Sequence, residues 1–385
     1  MTAFLATARR DRIALYFQHG EGWGREEAPE AGQWPAWQPD RNAYATSVVD
    51  RAAQASRIEV RSPRHELIGT PFRSTPGEPI AIGPRVPHYV SWSPNGRTLS
   101  YVAATGAGLS QFVAGLHSLD APKTTLVGAP IFSTWFPDGD RLLVHVGDRL
   151  VVVDAESGAN HPLSEAAIGF RAPAVSSDGS MVAYCRRASE GIDLCVGEPT
   201  GGQSHRIASF TGGVVVAFRP SSPHVTVASA SDPSSGMFDA LELIPATGGP
   251  RRRVWQGPFV SFGWDPTGGQ LVLVVPTQTG DGRYALYALD AGGGLLAATD
   301  GFLPSDESRA AFAFFDQYLQ SHCAWSPDGS VIGIAGRLAS DSVSSSLGDI
   351  AGPFALLWEP RPGVPLKLVG PATFVSFAPA AVNNR

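Results

Sequence analysis

The sequence predicts an all-β fold, a single β-propeller built from four-stranded blades. Three observations carry this. A short turn motif recurs along the whole chain, each copy is followed by apolar runs of strand length, and helix-period segments are almost absent. The motif is an aromatic residue followed by a Pro-Asp-Gly type turn. Its copies begin at Trp37, Trp92, Trp135, Val175, Phe218, Trp264, Trp325 and Phe377. The fullest are Trp92-Ser-Pro-Asn-Gly96 and Trp325-Ser-Pro-Asp-Gly329. Successive copies lie 40 to 61 residues apart, a spacing that brackets the period of propeller blades.

Each part of the motif has a physical role. Pro presets φ at the second turn position, Asp or Asn bonds back to local backbone, and Gly takes a positive φ. The aromatic is large enough to fill the wedge between two packed sheets. After Gly139 come RLLVHVG, RLVVVDAES and NHPLSE; after Gly268 come QLVLVVPT, YALYALDAGGG and LLAATD. With the strand that ends in the motif, this makes four strands per repeat.

The two ends complete each other. TAFLATA (2–8), DRIALYFQ (11–18) and GWGREEA (22–28) read as second, third and fourth strands of a blade. ATFVSFAP (372–379) reads as the missing first strand. Eight motifs therefore predict eight blades, with the ring closed by pairing the C-terminal strand with the N-terminal blade. Seven is the alternative count, if the Phe218 or Trp37 copy is not a true repeat. The whole chain, 1–385, is expected to form one domain.

Trp-Ser-Pro-Asp-Gly at the end of a first strand resembles the TolB-like, or PD40 (WD40-like), repeat. The resemblance covers nearly the whole chain, and what it implies is the propeller fold. The Trp-Asp that ends a WD40 repeat is missing. TolB proteins have fewer blades and a separate N-terminal domain. Eight blades are similar to the propeller of dipeptidyl peptidases, yet no GxSxG occurs, so peptidase activity is not implied. Propeller lyases acting on acidic sugars gather channel histidines around a metal. By that resemblance His88 and His322, both near the start of inner strands, form the one metal pair to nominate.

Composition narrows the classes. Lys and Arg number 29 against 35 Asp and Glu, a net charge of -6, which argues against nucleic acid as a partner. An apolar fraction of 43% argues against disorder. No apolar run reaches the length of a membrane span. Lys occurs only at Lys123 and Lys367, which with much Ala and Gly points to GC-rich, bacterial-type coding. The N-terminus MTAFLATARRDRIALYF puts its positive charges after its apolar stretch, so no signal peptide is expected. The expected location is cytoplasmic, or periplasmic if a leader was removed. Three cysteines, Cys185, Cys195 and Cys323, are no disulfide framework. The first two lie in consecutive strand-like runs and are expected to be buried free thiols.

Irregular pieces carry the functional expectations. One is the Pro-rich loop 73–87, read as an insertion. Another is the Ser-rich segment 339–347, read as an exposed hairpin loop. Arg251, Arg252 and Arg253 read as a solvated strand edge, or alternatively as a surface for an acidic partner. The main one is the insert 301–322, GFLPSDESRAAFAFFDQYLQSH. Ser305 can cap a helix there, Asp306 and Glu307 suit its first turn, and Phe312, Phe315 and Leu319 share a face. This helix is expected at one mouth of the central channel. Asp316, Tyr318 and His322 would then line a pocket, with carboxylate, phenol and imidazole available for acid–base work or ligand binding; Gln317 would join them. The competing expectation is that Phe312, Phe314 and Phe315 plug the channel. The position three before the motif aromatic holds Trp34, Tyr89, Phe132, His322 and Phe374. Together they predict a partial aromatic belt near the same mouth, suited to a ligand.

No catalytic motif, phosphate loop or metal spacing occurs. The function expected is therefore a non-catalytic binding protein that recognises a protein or peptide partner through a rigid face. The alternative is a channel-mouth enzyme, a lyase or hydrolase acting on a sugar or small metabolite through His322, Asp316 and Tyr318. No cofactor is expected; a divalent metal in the channel is the open alternative.

Overall fold

The structure, a computed structural model, describes residues 2–8, 11–50, 52–75, 89–105, 108–115, 124–128, 131–164, 167–168, 171–338 and 352–378. His88, most of the 73–87 loop and the 339–347 segment lie outside them.

Antiparallel strands dominate the described residues. They form six four-stranded sheets and one sheet of eight strands. The runs read from the sequence are these strands: Arg141–Val146, Arg149–Asp154 and Asn160–Ser164 follow Gly139, and Gln270–Pro276, Tyr284–Asp290 and Leu295–Ala298 follow Gly268. The two weakest motif copies each head a sheet. Gln33–Trp37 and Gly213–Phe218 are both first strands of four. The eight-stranded sheet is continuous because Phe302–Pro304 pairs on one side with Tyr284 and on the other with Ile332–Leu338. At the termini, Phe374–Phe377 pairs antiparallel with Ala3–Thr7, setting Phe4 opposite Phe377.

The turn chemistry works as the residue types dictate. In five motif turns the Gly N–H bonds the carbonyl three residues earlier, and each of those glycines has φ between 71° and 76°. Neighbouring turns also clamp one another. Asn95 donates to the Asp138 carbonyl at 3.1 Å and to the Asp140 carboxylate at 2.9 Å. A Cβ on Gly139 would lie 2.5 Å from the Asn95 side chain, so that turn needs glycine for space as well as for its φ of 76°. Three motif indoles, those of Trp92, Trp264 and Trp325, tie a repeat to the one before. The Trp92 indole donates to the Ala36 carbonyl at 3.0 Å, and that of Trp325 to the Gly263 carbonyl at 3.3 Å.

Buried apolar clusters lie between neighbouring sheets. One joins Ala174, Leu194 and Val196 to Val214, Val216 and Val227. Cys185 belongs to that cluster, whereas Cys195 belongs to the next one. The register places Cys195 opposite Tyr184, so the two thiols point to opposite faces of one sheet and stay free. The arginine run is largely tied to its own surroundings. Arg253 pairs with Glu242 at 3.0 Å, Arg251 with the same carboxylate at 3.8 Å, and Arg252 donates to the Ala291 carbonyl. Among the described residues no helix is long and apolar enough to cross a membrane.

Candidate functional site

The 301–322 insert forms two short helices rather than one. Helix α1 spans Asp306–Ala313 and helix α2 spans Phe315–Ser321, with the break at Phe314. The Ser305 hydroxyl accepts the Ser308 N–H at 3.0 Å and so caps α1, whose first turn carries Asp306 and Glu307. Because the helix breaks, the three phenylalanines do not act together. Phe315 is buried, 5.0 Å from the Phe262 ring and 5.9 Å from Phe238. Phe312 is half-buried beside Tyr284, and Phe314 is 44% exposed. The three therefore do not form one plug: Phe315 is buried, whereas Phe314 is exposed.

Helix α2 is a hub. It packs against four first strands: Tyr89–Trp92, Ile131–Trp135, Gly213–Phe218 and Ser261–Trp264. Its polar side chains reach outward to the sheets. Asp316 accepts the Ala172 N–H at 2.8 Å and pairs with the Arg171 guanidinium at 3.2 Å. Arg171 also donates to the Ala313 carbonyl, which ties it to the end of α1. The Gln317 amide meets both backbone groups of Ser133, at 3.4 and 3.5 Å, and its own carbonyl accepts the Tyr89 hydroxyl at 2.8 Å. Gln320 donates to the Thr134 hydroxyl.

His322 ends α2. One ring nitrogen faces the Trp34 carbonyl at 3.3 Å and the other faces the Ser321 hydroxyl at 2.6 Å. A carbonyl only accepts, so Nε2 carries the proton and Nδ1 accepts from serine. Burial drives the imidazole pKa down to about 4, and the Trp34 carbonyl opposes this only in part. Around it stand Phe374, Tyr318, Trp34 and Tyr89, with ring centroids 5.2 to 6.5 Å away. Burial raises both phenols, Tyr89 to about 12 and Tyr318 further.

The belt residues thus come together. Trp34, Tyr89, His322 and Phe374 form one buried cluster closed by Tyr318, while Phe132 sits apart against Phe314 at 6.3 Å. Tyr318, His322 and Phe374 border a cavity of about 70 Å³, room for water but far below a sugar-sized pocket. Asp316 bonds to neither Tyr318 nor His322, so the expected three-residue pocket does not assemble. Nor does the donor set fit a metal at His322, because both ring nitrogens are spent. Its nominated partner His88 lies outside the described residues.

One residue and one backbone conformation here escape sequence reasoning. Arg171 has no motif around it. Trp34 adopts φ +52°, a left-handed backbone that a bulky residue takes only under constraint. The constraint is visible: the Thr7 hydroxyl accepts the Trp34 N–H at 3.1 Å, and His322 donates to its carbonyl. Nothing local in Gln33-Trp34-Pro35 announces it.

Burial raises the Asp316 pKa, with Arg171 opposing, so the charge itself is disfavoured where it sits. This predicts an order of variants. Asp316→Ala strips the acceptor from the buried Ala172 N–H and leaves Arg171 unpaired, costing about 3 kcal/mol. Asp316→Asn keeps an acceptor and costs about 1 kcal/mol. Chemical denaturation of the two variants measures this, and equal losses would rule the account out.

No family model matches the chain, and no curated protein matches it. Solved structures do. A eukaryotic initiation factor is 11% identical over 99% of this chain and 99% of its own, with a TM-score of 0.55. An oligogalacturonate lyase in complex with manganese is 15% identical over 82% of this chain and 81% of its own, at 0.49. TolB from Acinetobacter baumannii is 14% identical over 76% of this chain and 61% of its own, at 0.38. At these identities the likeness speaks to the fold alone, an all-β fold of four-stranded antiparallel sheets.

Proposed function

We propose that the chain is a single eight-bladed ring, closed by pairing Phe374–Phe377 with Ala3–Thr7, and that it works as a non-catalytic binding protein for a protein or peptide partner. The count follows from dividing the eight-stranded sheet at Phe302–Pro304 into two blades. One observation carries the functional reading. The side chains best suited to chemistry, Asp316, Gln317 and His322, are spent on bonds that anchor α2 across the channel. A recognition surface benefits from such anchoring, because a preformed face loses little conformational freedom on binding. The insert side is the face we favour. It carries Phe314 and Leu303, 44% and 37% exposed, on elements fixed by the anchoring.

Native mass spectrometry of protein isolated from its own host tests this. A stoichiometric protein partner is expected, lost at least about tenfold in affinity on Phe314→Asp with no change in melting. A small metabolite turned over by the protein, with turnover abolished by His322→Ala, would establish the enzyme reading instead.

A further inference from the structure

On the far side of α2 a second cavity opens between the motif turns. It measures about 380 Å³, within the range of small-ligand pockets. Its walls include Phe218, Phe262 and Trp264 from two first strands and Trp325 from the segment after α2, and its floor is Phe315, Asp316 and Gln320 of α2. Asp265 stands among the turns at its rim.

The hydrogen-bonding groups of this cavity are one-sided. Both indole N–H groups are already used, Trp264 on the Thr226 hydroxyl and Trp325 on the Gly263 carbonyl. The Thr134 hydroxyl donates to the Pro173 carbonyl. The Gln320 amide nitrogen donates to Thr134 and to the Asp316 carbonyl, which leaves its oxygen as an open acceptor. Asp316 is already paired with the Arg171 guanidinium and accepts the Ala172 N–H, and a carboxylate can accept about four hydrogen bonds. The Asp265 carboxylate accepts the Gln270 N–H and both the N–H and the hydroxyl of Thr267, and no cation pairs with it among the described residues. Arg219 already stands over the Trp264 ring at 5.3 Å, while Phe218, Phe262 and Trp325 carry no such cation among the described residues. The cavity therefore offers aromatic faces, acceptors and one carboxylate without an ion pair, Asp265, so the occupant that fits it brings donors and positive charge.

We propose that this cavity binds an ammonium group carried on an apolar stem, either a free arylalkylamine or the lysine side chain of a partner. The site shares helix α2 with the insert but does not include Phe314 or Leu303, and its free-amine form does not depend on the partner reading.

The test uses the full chain and three probes of similar shape: 2-phenylethylamine, 2-phenylethanol and 3-phenylpropionate. Calorimetry and the fluorescence of Trp264 and Trp325 follow binding. The amine is expected to bind at least about tenfold more tightly than the alcohol, and the carboxylate more weakly still. Gln320→Met, at an exposed position, should weaken the amine about fivefold while leaving the melting temperature unchanged. A short Phe-Lys-Phe peptide and its lysine-acetylated form separate the sources. Binding of the unmodified peptide without the free amine assigns the site to a partner's lysine; binding of the free amine assigns it to a small molecule. Equal binding of amine and carboxylate, or no binding of any amine, overturns the proposal.

Discussion

Acidification from pH 7 to pH 4 is expected to cost the protein about 3 kcal/mol through His322 alone. The folded imidazole titrates near 4 and the free side chain near 6.5. The unfolded chain therefore takes up the proton first. The contribution is complete above pH 6.5 and is lost as the pH falls toward 4. Burial lowers His65 and His224 as well, so they add loss of the same sign. Asp316 acts oppositely, because its raised pKa lets the folded state bind a proton first. Asp178 is held down to about 2 by the Ser176 hydroxyl and by the N–H and hydroxyl of Ser180, so its loss falls in a lower window. Comparing the wild type with His322→Gln isolates the one group. Glutamine keeps a donor for the Trp34 carbonyl and cannot titrate. Urea midpoints measured from pH 7 to 4 should converge on acidification, with the wild type losing about 3 kcal/mol more than the variant. Parallel curves, or an NMR titration of His322 near 6.5, would remove the argument.

What was legible in the sequence divides along the range of the forces involved. The turns were readable because their chemistry is local: Ser326, Asp328 and Gly329 bond within six residues of one another. The strands after them follow from apolar runs. Ser305 as a helix cap is equally local. The belt was visible as a repeated position, since the same offset from the motif places side chains at one level of successive first strands. The rest needed contacts between distant parts. Phe314 breaks the insert where Phe315 drops into its bed against Phe262 and Phe238, fifty residues or more away. Asp316 finds its partners at Arg171 and Ala172, and no spacing rule links the two segments. Trp34 is bent by Thr7, 27 residues before it, and by His322, 288 residues after it. The pocket expected from Asp316, Tyr318 and His322 failed for this reason. Tyr318 and His322, four apart, share a face and meet the same aromatic cluster, whereas Asp316 leaves in another direction and meets Arg171 and Ala172.

Phe377→Ala is the most damaging single change expected, at about 4 kcal/mol. Phe377 is fully buried, 5.5 Å from Phe4 across the pairing of the two chain ends. It also packs where a Cβ on Gly333 would lie 2.8 Å from its ring, so it fills the seam toward Ile332–Leu338. Its own N–H donates to the Cys323 carbonyl at 2.8 Å, which links the terminal strand to the segment after α2. One truncation therefore opens a cavity shared by the N-terminal sheet, the terminal strand and the neighbouring unit. Phe259→Ala removes an equally buried ring from the Gly213–Phe259 part of the chain and serves as the comparison. Both variants should lose similar stability by denaturation. Only Phe377→Ala should also speed amide exchange across Ala3–Thr7, because those amides depend on a partner strand that no local contact supplies. If the two variants leave that exchange equally protected, the terminal pairing is not what holds the N-terminal sheet in place, and the closed ring we propose would have to be given up.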